Sequence, residues 1–509
     1  MKDLRSVGIR FSSHTERLLA QLWVAALAIL SVLSLGYAGL KILRLRPNII
    51  WGFSCFACII ALCLFYFSFR LLQRKPVALI CPALLALALL PRIAFGMLAE
   101  CLPVSDFTNY HQFALWLSQG DVQRVAAIAQ DYQLAEFAGL AVLNYGLSLL
   151  FSPSVAGMIL SSQVLSALLC PLIFLLGRQI HKPSALLAAL LYAFYPGSIV
   201  SAQIITNQHG ATLFALLAFL PLLQAAKEPR FLSSAAYAAL GGVLLTVSHF
   251  FHPSSVVIRI AIACFFLWTI LRQGRSASLR LPVALCCFFL VFHLSLHGSL
   301  LLLKSHQLLP ESLHTDAALS KIAVGLNPDT NGAYSAADYH AINALPYEER
   351  NAYALQLITE RVSQPAALLK TLASKTFSMW VRTDNLFLFY IQGVEAGAGE
   401  AAQQTQAALA WGDALQLWDA LFLSALYACA AFCLCDGQKS QNSAVLRLLL
   451  WVLSGWAGVH LLSEIQPRYR YFAMPMLALL AGIGLWHIWQ NKARMTVQIK
   501  KRFLKIKGR

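Results

Sequence analysis

The chain has 509 residues, 59% of them hydrophobic and only 12% charged, with a formal net charge of +17. Soluble proteins carry about 25% charged residues, so this composition excludes a water-soluble enzyme and predicts an all-α polytopic membrane protein. The positive charge does not imply nucleic acid, because the basic residues sit in short clusters between apolar runs and form no basic face interleaved with aromatics.

A spanning helix needs about 20 apolar residues, and about twelve runs qualify. Leu18–Leu40 and Trp51–Leu72 come first. The segment before them, MKDLRSVGIRFSSHTER, is polar and basic, and the first run shows no small-residue cleavage site. It is therefore expected to be a retained helix and not a signal peptide. Val77–Leu98 follows and leads directly into Pro103-Val104-Ser105-Asp106-Phe107-Thr108-Asn109-Tyr110-His111-Gln112. Tyr110, Phe113, Ala114 and Leu117 give that loop a short amphipathic helix with Asp106 at its start. Phe137–Phe151, interrupted by Asn144, Tyr145 and Gly146, reads as an interfacial helix.

Ala156–Leu176, Ala185–Ile205, Ala211–Ala226, Leu232–Phe250, Val256–Leu271 and Leu281–Leu303 continue the series. A polar turn, Thr206-Asn207-Gln208-His209-Gly210, separates two of them. A polar insertion of Lys304–Ala408 follows. Within it, Pro346 should start a helix running to Val362, and Pro365 should open the next, which ends at Trp380. Leu415–Cys435, Val445–Leu462 and Phe472–Trp489 close the chain. The expected organisation is 1–76, two additional helices; 77–303, a core whose outer loop is 99–155; 304–408, an outer insertion; 409–490, the last helices; and 491–509, a basic tail resting on anionic lipid.

Lys and Arg in the short loops set the orientation. Arg178, Lys182, Lys227, Arg230, Arg272, Arg275, Arg280, Lys439, Arg447 and both termini fall on one side, which should be the cytoplasm of a cell membrane. Lys41, Arg44 and Arg46 break this rule. Arg92 and Arg259, inside spans, lie near enough to span ends to snorkel. Almost all of the 12 cysteines lie in apolar runs. Cys55 and Cys58 read as packing residues and not as a metal pair, and no disulfide framework is implied.

Three segments on the non-cytoplasmic side are rich in polar residues. Asp106 is the candidate catalytic carboxylate; as an isolated residue it would be a helix cap. Glu464-Ile465-Gln466-Pro467-Arg468-Tyr469-Arg470-Tyr471 places two arginines where the positive-inside tendency disfavours them. Arginine binds phosphate through paired charge-assisted hydrogen bonds, so Arg468, Arg470 and Tyr469 are candidate phosphate ligands, with interfacial anchoring as the bland alternative. The insertion contributes Lys375 as a further candidate cation. Tyr110, His111, Asn207, Gln208, His209, Glu464 and Asn327 are expected around a substrate cavity. No D-x-D or dense acidic cluster calls for a metal or other cofactor.

Four stretches, in order, resemble the integral-membrane glycosyltransferases of the C-type fold that use polyprenyl-phosphate sugars, such as the protein O-mannosyltransferases and the aminoarabinose transferases. They are PRIAFGMLAECLPVSDFTNYHQFALWLSQGD, LSLLFSPSVAGMILSSQVLSALLCPLIFLLGRQI, LYAFYPGSIVSAQIITNQHGATLFALLAFLPLL and SEIQPRYRYFAMPMLALLAGIG. The resemblance implies transfer of a sugar from a lipid-phosphate donor to an outer-face acceptor on a glycan, lipid or protein. Asp106 would be the base, with inversion by a single displacement. Phe107 stands where many members carry a second acid, which weakens a two-carboxylate or metal scheme, and Gln208 stands where many carry a glutamate, which weakens a charge-based role for that turn. The rival expectations are a transporter or flippase of lipid-linked sugars, and a polymerase or ligase of surface polysaccharide.

Overall fold

The computed structural model describes residues 2–43, 49–132, 134–253, 255–273, 279–310, 318–397, 402–435 and 443–507. Its helices are α1 Lys2–Leu43, α2 Ile49–Leu72, α3 Val77–Gly96, α4 Asp106–Ser118, α5 Val122–Asp131, α6 Glu136–Phe151 and α7 Val155–Gly177. Next come α8 Lys182–Ala193, α9 Pro196–Ser201, α10 Gln208–Lys227, α11 Phe231–Phe251, α12 Ser255–Gln273 and α13 Arg280–Ser305. The insertion holds α14 Ala318–Gly325, α15 Ala336–Asn343, α16 Tyr347–Val362, α17 Pro365–Trp380 and α18 Asp384–Gly397. The chain closes with α19 Ala402–Cys435, α20 Ala444–Leu462, a 3₁₀ turn Pro467–Ala473 and α21 Met474–Lys507. The chain is an all-α polytopic membrane protein: among the described residues there is no strand, and 11 helices are long and apolar enough to cross a membrane.

The expected span Ala185–Ile205 is not one helix. It breaks after Ala193 and restarts at Pro196. Proline has no N–H to donate and disfavours a helical residue before it, and Tyr195 is accordingly extended, at φ −67° and ψ 114°. A break among membrane helices survives only where protein satisfies the freed backbone groups. Here Arg92 Nη1 donates to the Ala193 carbonyl at 3.2 Å, and its Nη2 donates to Ser198 Oγ at 2.7 Å. On the other side, Asp419 Oδ1 accepts the Gly197 N–H at 3.0 Å, at the positive end of α9. Arg92 therefore does not snorkel; it is wholly buried.

The insertion divides differently from the expected 304–408. The helix α13 carries through Ser305, and α19 begins at Ala402. The predicted helices from Pro346 and Pro365 are α16 and α17, parted at Ser363-Gln364. The last piece, α18, buries Phe387, Tyr390 and Val394 in the same apolar cluster as Phe107, Tyr110 and Phe113 of α4. That cluster joins α4, α6 and α18 beside the main core of the spanning helices.

The two ends of the bundle differ in chemistry. At one, Lys182 Nζ donates to the Lys75 carbonyl at 2.8 Å, Lys227 to Gln179 at 2.7 Å, and Arg272 pairs with Glu16 at 2.9 Å. At the other lie Asp106, Asn207, His252 and Glu464. Lys41, which broke the positive-inside rule, donates to Gln416 Oε1 at 2.5 Å; Arg44 and Arg46 lie outside the described residues.

Candidate active site around Asp106 and Arg468

Asp106 opens α4. The residue before it, Ser105, holds φ at +55°, a left-handed value uncommon for a residue with a side chain. Such strain persists only where neighbours impose it. The turn is clamped by Thr108 Oγ1 donating to the Pro103 carbonyl at 3.0 Å and by the Leu102 N–H donating to the Gly393 carbonyl at 3.0 Å. Helix α18 thus fixes the carboxylate's approach. Beneath it, Phe107 and Phe113 are buried, and Asn144 donates to the Tyr110 carbonyl at 2.8 Å, seating α4 on α6.

Arg468 arrives from the 3₁₀ turn, 362 residues later in the chain, and its Nη2 meets Asp106 Oδ2 at 3.0 Å. The Arg468 side chain is 11% exposed and that of Asp106 33%. The guanidinium lies over three rings, with Cζ at 5.1 Å from Phe107, 5.4 Å from Phe389 and 5.8 Å from Tyr469. Its Nε is buried without an acceptor. Buried donors are nearly always paired, and this one has no partner within the described residues. Beside the guanidinium is a narrow hollow with a volume of about 10 Å³, room for roughly one water, lined by Phe107, Ser201, Ile204, Thr206, Gln208, Phe389, Arg468 and Tyr471. A second crevice, too tight for a water, shares Phe107, Ile204 and Phe389 with it and extends along Cys101–Val104.

Sequence reasoning missed Lys321. Its Nζ meets Glu464 Oε2 at 2.6 Å, with half of the lysine side chain exposed and 3% of the glutamate. Burial alone would lower the lysine's pKa, but Glu464, Tyr469 and Tyr339 together hold it above the ordinary value. The insertion docks along the segment that precedes Arg468. The Glu464 N–H donates to the Lys321 carbonyl at 2.8 Å, and the Ile465 N–H to the Gly332 carbonyl at 3.0 Å. This brings Tyr334 within electrostatic reach of both Glu464 and Asp106. Tyr132 of the first loop also feels the Asp106 charge. Both phenols have raised pKa values, through burial first and then through these neighbouring charges. The legible signal was the glycine- and asparagine-rich turn beside Lys321; its docking partner was not in the sequence.

The other predicted residues divide. Tyr110 lies next to Asp106 and Arg468, its hydroxyl 3.5 Å from Asn207 Nδ2, and burial raises its pKa. Gln208 lines the hollow. Tyr469 lies between Arg468 and the rings of His252 and His460, at centroid distances of 6.0 and 5.4 Å. His252 has its pKa lowered to about 3 by burial, then by the charges of Arg468 and the neighbouring His460, His249 and Lys321.

Five expectations are corrected. Arg470 is not a phosphate ligand: it is buried, pairs with Asp419 at 3.3 Å, and donates to the Trp380 and Arg382 carbonyls. Lys375 spends its ammonium on three carbonyls, Gly325 at 2.7 Å, Leu461 at 2.9 Å and Ser463 at 2.8 Å. Asn327 is locked inside the insertion by Asp338 at 2.8 Å. His111 ties α4 to the Pro153 carbonyl at 3.0 Å. His209 ties α10 to the Ser201 carbonyl at 3.1 Å and packs on Tyr471. Among the described residues, no group of three or more His, Cys, Asp or Glu converges as a metal site would need.

Residues 143–371 match a family described as a conserved hypothetical integral membrane protein. No curated protein matches the chain. The matched stretch runs from α6 into α17. It includes the broken helix, Gln208, His252 and Lys321, whereas Asp106 and Arg468 lie on either side of it.

Proposed function

We propose that the protein is a membrane glycosyltransferase that moves a sugar from a polyprenyl-phosphate donor to a hydroxyl of a cell-surface acceptor. The observation that carries this reading is the Asp106–Arg468 pair at 3.0 Å with the Arg468 Nε edge unclaimed. One guanidinium then serves both partners of a displacement. Through Nη2 it orients the carboxylate, and through Nε it takes the donor phosphate.

The acceptor O–H attacks the anomeric carbon as the bond from that carbon to the phosphate oxygen breaks. The proton passes to Asp106, whose Oδ2 is held by Arg468 and whose other oxygen faces the acceptor. The electron pair leaves on the lipid phosphate, stabilised by Arg468. A single displacement inverts configuration. Lys321, in place of Lys375 and Arg470, is the second cation on that side. Glu464 keeps it in position, and the phenols of Tyr334 and Tyr132 border the acceptor's approach. The positive-inside charge pattern supports an outer-face position for this end of the bundle.

A second reading, a transporter of lipid-linked sugars, draws on the broken helix, because transporters bind cargo at such breaks. Here Asp419 and Arg92 already occupy both ends of the break, which leaves no open site there.

The test is reconstitution of purified protein with a labelled polyprenyl-phosphate hexose and envelope extract as acceptor. Wild type should transfer label and Asp106→Asn should not, while retaining its chromatographic profile and melting temperature. Deletion of the gene should make a carrier-linked sugar accumulate, which wild type and not Asp106→Asn clears. Full transfer by folded Asp106→Asn refutes the base, and flux of intact lipid-linked sugar without transfer favours the transporter.

A further inference from the structure

Arg259 sits one turn into α12, within a membrane-spanning segment, and is half-buried. Its Nε is buried without an acceptor, and among the described residues no side chain or carbonyl accepts a hydrogen bond from this guanidinium. Its contact is a ring: Cζ lies 4.5 Å from the centroid of Phe292, a wholly buried residue of α13. Arginines inside membrane proteins pair with acids, carbonyls or water-filled cavities. Arg92 and Arg470 follow that rule, and Arg259 does not.

Two more polar groups lie nearby on α13. His293 follows Phe292 and lies within electrostatic reach of Arg259. His297, one turn further along α13, stacks on His293 with centroids 6.2 Å apart and planes at 24°. Both imidazoles are exposed on a helix that is mostly not covered by the protein. Leu290, Leu294, Leu301 and Leu302 are exposed on the same helix, so what surrounds it is hydrocarbon. An arginine with an unclaimed N–H edge beside two exposed imidazoles, on a helix face of exposed leucines, matches one chemistry: the phosphate of a lipid.

We infer that Arg259, His293 and His297 form a binding site between α12 and α13 for the phosphate of a membrane lipid, separate from Arg468. Phe292 backs the guanidinium, Arg259 supplies charge-assisted donors, and the imidazoles donate from the facing helix. The ligand is either a phospholipid or a polyprenyl phosphate, since both present the same oxygens. The site needs no glycosyl transfer and stands whether or not that activity is found.

The test is native mass spectrometry of the full chain, delipidated in detergent and titrated with phosphatidylglycerol, a polyprenyl phosphate, or diacylglycerol as the phosphate-free control. It is run on wild type, Arg259→Gln, Arg259→Lys, a His293→Ala/His297→Ala double variant and Arg468→Gln. Phosphatidylglycerol should bind wild type and Arg468→Gln alike, and bind Arg259→Gln at least about tenfold more weakly, the scale of one lost charge-assisted hydrogen bond; polyprenyl phosphate should bind Arg259→Gln more weakly than wild type whether or not Arg468→Gln also loses a copy. Arg259→Lys and the histidine pair should fall between. Preference for one lipid names the source; equal binding of both supports a general phosphate site. The inference is overturned if diacylglycerol binds as well as the phosphate lipids, or if folded Arg259→Gln binds them as wild type does. If Arg259→Gln does not fold, unchanged binding by Arg259→Lys and by the histidine pair overturns it. Loss confined to Arg468→Gln overturns it as well and assigns the lipid to the other site.

Discussion

Three cations show why residue type alone does not assign a role. In the sequence Arg468 is the leading candidate for the phosphate, with Arg470 and Lys375 behind it. Arg470 and Lys375 are saturated by protein acceptors, and Arg468 keeps an edge free. Lys375→Met should strand the carbonyls of Gly325, Leu461 and Ser463. A loss of roughly 2–4 kcal/mol is expected, read as a lower melting temperature in detergent. Arg468→Ala should lower that temperature too, since the side chain pairs with Asp106 and packs on three rings, but in protein that still folds it should also abolish donor use in the transfer assay, which Lys375→Met should not.

His252 gives a pH prediction at the same scale. Its folded pKa of about 3 lies below the ordinary 6.5. Between these values the unfolded chain binds a proton that the folded chain does not, so stability falls as pH drops below 6.5. Arg468, His460, His249 and Lys321 face the ring and oppose its charging. His252→Gln should flatten the decline in melting temperature between pH 7 and pH 5; an unchanged slope would count against this account.

At the scale of elements, the broken helix α8–α9 depends on charge brought from elsewhere. A Cβ at Gly197 would lie 2.6 Å from Tyr195 Oη and 2.8 Å from Asp419 Oδ1. Gly197→Ala should therefore cost about 1–3 kcal/mol by overpacking. Asp419→Ala should cost more, about 3–5 kcal/mol, because it leaves Arg470 buried and unpaired. Thermal melts rank the two, and the reverse order would mean that Arg470 finds another acceptor. Pro196 is visible in the sequence, within the expected span Ala185–Ile205. Its effect depends on whether the bundle can satisfy the freed Ala193 carbonyl and Gly197 N–H, and periodicity carries no information about that.

For the whole molecule, the arrangement of ends predicts a labelling pattern. Cysteine at Asn331, in the exposed turn of the insertion, and cysteine at Arg230, between α10 and α11, lie at opposite ends of the bundle. An impermeant thiol reagent on intact cells should label Asn331→Cys at once and Arg230→Cys only after permeabilisation. The opposite result would invert the orientation and place Asp106 in the cytoplasm.

The membrane class, nearly all the spans and the helix beginning at Asp106 were legible from hydrophobic run length and local pattern, because lipid imposes those constraints residue by residue. The helices starting near Pro346 and at Pro365 were legible for a similar local reason, since proline fixes its own backbone. Local pattern did not reveal which polar groups meet. Asp106 and Arg468 are 362 residues apart, and Lys321 reaches its place only because the insertion docks on the Glu464 backbone. Burial decided the rest: it consumed Arg470 and Lys375, left Arg468 and Arg259 with unclaimed edges, and turned one expected span into two short helices held by Arg92 and Asp419. Such pairings follow from packing in three dimensions, where a buried charge must find a partner wherever the fold supplies one.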